Sequence, residues 1–577
     1  MMVAKRIANI SSLLPLALLL SACASAPQAP RAEATPRPEA KAAKPALPDV
    51  ELSDDMLYGF LLGEVANQRG HADLAAQAYL DLARETRDPR VARRAAQIAF
   101  ESRQIEKSAE AFKLWLELEP DSQPARQMLA SLLVNAGKLN DARPWLAQLL
   151  AAEPDNAGAI FRQLYPLLAR SPNKKAVLKL LRDLAQPYPR VAEAHWAMAQ
   201  AAAAGGKQDE ALAEARQARE LRPEWDEAVL LEAQLWLPGQ PQQALAALND
   251  FLKANPDAAE VRLFYARLLL EQKQYKEARV EFQRLLDAHP ENADLAFAIA
   301  LLSLQMGELD RAEKELQQAL THGKRDQDTV HYYLGQLSEA KKNTQTALQH
   351  YRKVQGGEYA YPARLREAYL LGTSGKLDEA RELLHRIPAQ NNQQQAQLLM
   401  IEAQLLRDAQ QYAPAYQVLQ QGLDKQPDNP DLLYEAALLA DKIGKPDVLE
   451  QLMRKLIGLQ PDNANAYNAL GYSLLDRNVR VAEGMQLVEK AYGLAPNDAA
   501  IIDSIGWGHY RQGKLDKSLE FLRRAYSANP DPEIAAHLGE VLWVHGDKEA
   551  AKKIWSGSLK QHPQNDTLQA VMKKFLP

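Results

Sequence analysis

Prolines stand at Pro120, Pro154, Pro189, Pro223, Pro256 and Pro290, and again at Pro427, Pro461, Pro496, Pro530 and Pro563. Their gaps are 34, 35, 34, 33 and 34 in the first set and 34, 35, 34 and 33 in the second. The interval from Pro290 to Pro427, 137 residues, is close to four more periods, so the phase survives where the prolines do not. A period of this length is one supersecondary unit, too small to bury a core alone, so neighbours must stack on one another. Such a chain can grow without dividing into separate globular cores, as a non-repetitive chain of 577 residues would.

Within a period the pattern is helical. In "IIDSIGWGHYRQGKLDKSLEFLRRAYSANP", residues 501–530, Ile502, Ile505 and His509 lie on one stripe of a first helix, and Gly506 allows close helix approach. Gly513 ends that helix where a left-handed residue is needed. Leu515, Leu519, Leu522 and Tyr526 follow at spacings of four, three and four, a helical face that excludes a strand, and Pro530 closes the unit. Two antiparallel helices in 34 residues with a closing proline is the tetratricopeptide signature.

The pattern recurs at 466–478, "AYNALGYSLLDRN", with Tyr467, Leu470 and Gly471 in register, and at 60–83, where Leu62, Gly63, Ala75 and Tyr79 place a unit before the first proline marker. Residues 52–563 therefore read as about fifteen tetratricopeptide-like hairpins, with 564–577 as a carboxyl-terminal capping helix. The fold class is all-α, a superhelical solenoid of helix-turn-helix repeats. Two stretches are degenerate: "LWLPGQPQQAL" at 235–245 has a proline-bounded turn, and "AQNNQQQAQLL" at 389–399 begins its helix with polar residues.

In such a solenoid the first helices line a groove whose outward positions choose the partner. By register with the tetratricopeptide family, the groove includes Phe60, Trp196, Asn468, Tyr472, Asp503, Trp507 and Tyr510. Trp196 and Trp507 stand one position past core stripes, so groove residue and packed core are both open readings for them.

The amino end carries different information. Lys5 and Arg6 precede a mostly apolar run, Ile7 to Leu20, broken by Pro15, which is a secretory signal too short for a spanning helix. Leu20-Ser21-Ala22-Cys23 fits the lipoprotein cleavage box, and Cys23 is the only cysteine in the chain, so no internal disulfide is possible. The alternative is an ordinary signal peptide. On the lipoprotein reading residues 1–22 are removed and Cys23 becomes the acylated first residue. Resemblance to bacterial lipoproteins implies three acyl chains, including palmitate. At about 0.8 kcal/mol per buried methylene, several chains anchor a protein where one holds it only marginally. Ala24 follows, without the aspartate that retains such proteins in the inner membrane, so the expected place is the outer membrane, facing the periplasm. Residues 23–51, rich in proline and alanine, form a tether that cannot bury a core.

Past the signal, no second run of about 18 apolar residues occurs. The net charge of −5, with both signs interspersed, gives no nucleic-acid footprint. No HExxH, phosphate-binding glycine loop or GxSxG elbow is present, and His537 and His545 are eight apart, too far for a one-turn zinc pair. His195 and His509 occupy core-like positions and read as satisfied structural histidines. The expectation is a non-enzyme with no catalytic residue, metal site or cofactor beyond the lipid on Cys23. The charge-rich "RETRDPRVARRAAQIAFESRQIEK" at 84–107 reads as two amphipathic helices with a solvated basic face, or as a docking patch.

The cleavage box, the tether, "DPRVARRAAQIAFESRQIEKSAEAFKLWLELEP" at 88–120 and "DSIGWGHYRQGKLDKSLEFLRRA" at 503–525 together resemble the outer-membrane tetratricopeptide lipoproteins of pseudomonads and relatives. The resemblance implies an adaptor that binds a periplasmic carboxyl-terminal processing serine protease. It would present cell-wall cross-link hydrolases for degradation, so limiting peptidoglycan cleavage. The competing class is a scaffold or activator for a peptidoglycan synthase, or for a polysaccharide or pilus secretion machine.

Overall fold

In the computed structural model the described residues are 48–322 and 326–576. The signal segment 1–22, Cys23 and the tether up to residue 47 lie outside them. Among the described residues there are 31 α-helices and no strand. Thirty of the helices pair as fifteen antiparallel hairpins, in two units. Eight hairpins run from Asp54 to His322; seven run from Gln327 to Gln561 and are followed by the single helix Asp566–Phe575. No helix among the described residues is long and apolar enough to cross a membrane.

The hairpin 499–528 shows how the residues build the unit. Asp498 accepts hydrogen bonds from the backbone N–H groups of Ala500 and Ile501, starting the helix Ala499–Arg511. Gly513 then takes φ +76°, and the helix Leu515–Ala528 returns. Ile502, Ile505, Leu519 and Leu522 are buried between the two helices and their neighbours. Each such side chain contributes about 1.5–3 kcal/mol when fully removed from water. A Cβ on Gly506 would stand 2.7 Å from Leu522 Cγ, so glycine sets the separation of the two helices.

The left-handed turn is the deeper signature of the repeat. Positive φ occurs at Gly307, Lys342, Gly375, Gln410 and Gly444, at intervals of 33 to 35 residues, straight through the stretch where the marker prolines fail. The turn survives with lysine or glutamine because a single left-handed residue costs about 1–2 kcal/mol, which the packing of the two helices outweighs. Of the two stretches that read as degenerate, the proline-bounded turn at 235–245 has no positive φ, while the polar start at 389–399 becomes the 17-residue helix Asn392–Asp408, capped by Asn391. The preceding second helices, Thr344–Lys353 and Leu377–Arg386, have only 10 residues each.

Neighbouring helices are also joined through buried acids. Glu232, 2% exposed, is held by Arg219 at 2.7 Å and Arg216 at 3.3 Å. Glu402 lies between Arg381 at 2.8 Å and His385 at 2.9 Å, and Glu367 between Arg352 at 2.8 Å and Arg364 at 2.9 Å. A buried carboxylate is tolerable only when paired in this way. The charge-rich segment 84–107 forms the helix Pro89–Glu101 and enters the helix Ile105–Leu118. Most of its cations have partners: Arg84 with Glu110, Arg87 with Glu117, Arg94 with Glu64 and Lys107 with Asp73.

Candidate functional site

One first helix in each unit makes a polar contact past the adjacent hairpin. In the first unit Arg162 meets Glu227 at 3.0 Å, skipping the hairpin 192–221. In the second, the Tyr472 hydroxyl lies 3.2 Å from His537 Nε2, skipping the hairpin 499–528. Both are made by first helices of their hairpins. In a curved stack, elements two apart approach one another only on the inside of the curve. First helices therefore line the inner face within each unit.

On the inner face of the first unit, Trp196 is half-buried between Tyr165 at 6.3 Å and Trp225 at 5.8 Å between ring centroids. Arg162 and Arg222 lie over the Trp225 ring at 5.9 and 5.1 Å, geometry suited to cation–π attraction. The Trp225 indole N–H is buried without a hydrogen-bond partner. Trp196 thus keeps part of its ring open and belongs to a three-hairpin aromatic ladder. Phe60 is half-buried and packs edge-on to Tyr79 of its own hairpin at 6.1 Å.

The remaining groove candidates converge in the second unit. Asp503 Oδ2 is 2.8 Å from His537 Nδ1, and the Trp507 ring stacks on the His537 imidazole at 4.1 Å. Arg511 lies over the other rings of this cluster, 4.7 Å from Trp507 and 5.9 Å from Tyr510. Tyr510 is half-buried and donates to Glu540 at 3.2 Å; Lys574 donates to the same carboxylate at 3.0 Å. Asn468 and Tyr472 are half-buried on the preceding first helix.

The expectation that Asp503 and Trp507 present an open surface is corrected by the structure. They are 5% and 3% exposed, because Tyr472 and His537 close over them from the flanking hairpins. Asp503 Oδ1, Trp507 Nε1, Asn468 Oδ1 and Arg511 Nε are nonetheless left without partners, an unusual concentration of unpaired polar atoms in one place. Burial pulls the His537 imidazole down, and the charge and hydrogen bond of Asp503 outweigh it, leaving its pKa raised. His195 is satisfied, by Glu214 at 2.7 Å and the Pro189 carbonyl at 3.2 Å. His509 is not: its Nδ1 is buried and unpaired, and burial holds its pKa below the ordinary value.

The residues missed in the sequence are Tyr165, Trp225, Arg511, His537 and Glu540. His537 stands 34 residues after Asp503, one period on, and that spacing is the signal that could have found it. Among the described residues no group of three or more His, Cys, Asp or Glu side chains could hold a metal ion.

Models of the tetratricopeptide repeat match residues 99–162, 239–293, 269–337, 434–499 and 504–565. The chain is 34% identical over 488 residues to a TPR repeat-containing protein, PA4667, of Pseudomonas aeruginosa, covering 85% of this chain and 82% of that one. Among solved structures, it is similar to a thermophilic TPR protein of Thermus thermophilus, at 21% identity and TM-score 0.29, over 31% of this chain and 98% of that one. It is also similar to the Naa15/Naa10 complex bound to HypK, at 17% identity and TM-score 0.38, over 72% and 70% of the two chains. At such scores these structural likenesses are too loose to carry an argument.

Proposed function

The chain belongs to the tetratricopeptide-repeat proteins, and from that premise we propose that it is a non-enzymatic adaptor lipoprotein of the outer membrane, anchored through Cys23 and facing the periplasm. Tetratricopeptide arrays are protein–protein interaction scaffolds, and the observation that most supports this reading here is the inner face itself. Within each unit the first helices line one face and bear partly open aromatic side chains, such as Trp196 in the first and Tyr472 in the second. Each unit offers such a face, so one chain can hold two proteins. Bringing both to one scaffold raises their effective concentration without new chemistry.

The partners we propose are a carboxyl-terminal processing serine protease and its cell-wall hydrolase substrates. This rests on the resemblance of residues 88–120 and 503–525 to LbcA, the lipoprotein partner of such a protease. The test is affinity capture from periplasmic extract with the mature chain carrying Cys23→Ser and a protease disabled at its nucleophile, followed by mass spectrometry. Recovery of the protease with cross-link hydrolases is the expected outcome. Recovery of a synthase or of secretion components instead would replace the proposed partners while leaving the scaffold. Release of the Cys23→Ser chain from membranes, against retention of the native chain, checks the anchor.

A further inference from the structure

The first helix of the array, Asp54–Gln68, is packed on one side only. Met56, Gly63 and Ala66 are its buried residues, whereas Leu57, Tyr58, Leu61 and Val65 are 46%, 67%, 58% and 45% exposed. At 100° per residue these four side chains fall within about 100° of arc, opposite the buried set. They hold four of the fourteen large apolar side chains exposed among the described residues, on a single helix of fifteen residues.

The register of the repeat identifies this stripe. Gly63 faces Tyr79 as Gly506 faces Leu522, sixteen residues on in each case. Tyr58, Leu61 and Val65 therefore correspond to Ile501, Ser504 and Gly508. Those three are buried, Ile501 at 1% and Ser504 at 2% exposure, because the preceding hairpin stacks on them. Tyr58, Leu61 and Val65 thus form a stacking face on which none of the described residues stacks. Repeat arrays ordinarily end in a polar face, and the other end of this chain follows that rule: the helix Asp566–Phe575 exposes no large apolar side chain. A head-to-tail contact has no apolar counterpart there. With residues 1–22 removed, as the proposed lipoprotein reading has it, the remaining segment 24–47 carries a single large aliphatic side chain, Leu47, too little to match the stripe.

We propose that this face pairs with the same face of a second copy, the two Asp54–Gln68 helices lying antiparallel about a two-fold axis at Leu61. The charges at its ends select this occupant. Asp54 and Asp55 stand at the start of the helix and Arg69 at its end; all three are exposed and enter no ion pair among the described residues. With Leu61 opposite Leu61, Leu57 meets Val65 of the second copy, and Asp54 comes beside Arg69 of the second copy at both ends. A parallel pairing would set like charges together. Two-fold contacts of this kind are self-complementary and closed, so the product is a dimer and not a filament.

The test is sedimentation equilibrium of the mature chain carrying Cys23→Ser, which has neither acyl chains nor a thiol. A reversible dimer is expected, weakened at least about tenfold by Leu61→Asp, a charge at the centre of the contact. Asp54→Arg and Arg69→Asp should each weaken it, and the two together should restore it. Because all three side chains are exposed, an unchanged circular dichroism melt separates loss of pairing from loss of fold. In the same background Leu61→Cys should give a covalent dimer on mild oxidation. A monomer at every concentration would overturn the proposal and leave the face to a different protein. A dimer that persists in Leu61→Asp, or in which Leu61→Cys fails to cross-link, would overturn it equally by placing the contact elsewhere.

Discussion

The imidazole of His537 hydrogen-bonds the carboxylate of Asp503 at 2.8 Å, and both side chains are more than nine-tenths buried. The pair joins adjacent hairpins where no main-chain hydrogen bond does, and it lies beneath the Tyr472 hydroxyl contributed by a third. Asp503→Asn keeps the shape of the side chain and removes the charge that His537 faces. Loss of one member of a buried charged pair costs about 3–5 kcal/mol. The expected outcome is a lower urea midpoint, with the largest gain in hydrogen exchange in the helices Ala464–Asp476, Ala499–Arg511 and Pro532–His545.

Two histidines 28 residues apart should titrate in opposite senses. His537 has a raised pKa in the folded state. Its contribution to stability is fully present below the ordinary value of 6.5 and is lost as pH rises through the folded value. The flanking charged and titratable groups, Asp503, Asp476, Glu533 and Tyr472, all belong to this cluster. His509 has a lowered pKa, so the folded state resists its protonation and stability falls as pH drops below 6.5. Imidazole resonances followed by NMR across pH 5 to 9, a range of about two units either side of neutrality, should show His509 titrating below 6.5 and His537 above it.

Much of this chain could be read before its structure, and the division between what could and what could not is physical. Gly506, Gly513 and the Leu519–Leu522 stripe act within one hairpin, so their spacing in the sequence is their meaning. Asp503 and Trp507 differ. What buries them is His537 from the next hairpin and Tyr472 from the one before, and a pattern within a single repeat does not contain those neighbours. His509 sits at a core register and yet lacks a partner for Nδ1, because register fixes where a side chain stands and not which atoms surround it. The left-handed turns at Lys342 and Gln410 are hidden for a related reason: glycine is the residue that marks such a turn in a sequence, and the backbone there adopts the geometry without it.

Glu450 should mark the acid limit of the second unit. Hydrogen bonds from Arg480 lead in lowering its pKa, burial opposes, and Arg454 adds to the lowering, which brings it to about 2 from 4.5. A depressed carboxyl pKa stabilises the fold above the unfolded value and loses that contribution as pH falls through the folded one. Glu450→Gln should therefore flatten the pH dependence of the urea midpoint between 4.5 and about 2, with little change in its slope above 4.5.

A methyl group at position 539 should be among the most damaging single changes in the chain. The Cβ of Gly539→Ala would stand 2.0 Å from Trp555 Nε1, an atom of a rigid and fully buried ring. Overpacking of this kind costs about 1–3 kcal/mol and occasionally more. Thermal melting of Gly539→Ala should show a clear fall in midpoint, whereas Gly557→Ala, inside a helix where a Cβ meets nothing within 4 Å, should melt no lower than the native chain.

The contacts from Arg162 to Glu227 and from Tyr472 to His537 have a mechanical consequence. Stacking of each hairpin on the next needs only nearest neighbours, but these two contacts close only when the stack is bent. Straightening a unit should therefore break them before any hairpin separates. The two polar contacts thus depend on the curvature, while cohesion is held by the apolar core. A unit loaded along its stack should lose its contact of this kind first while its hairpins stay together.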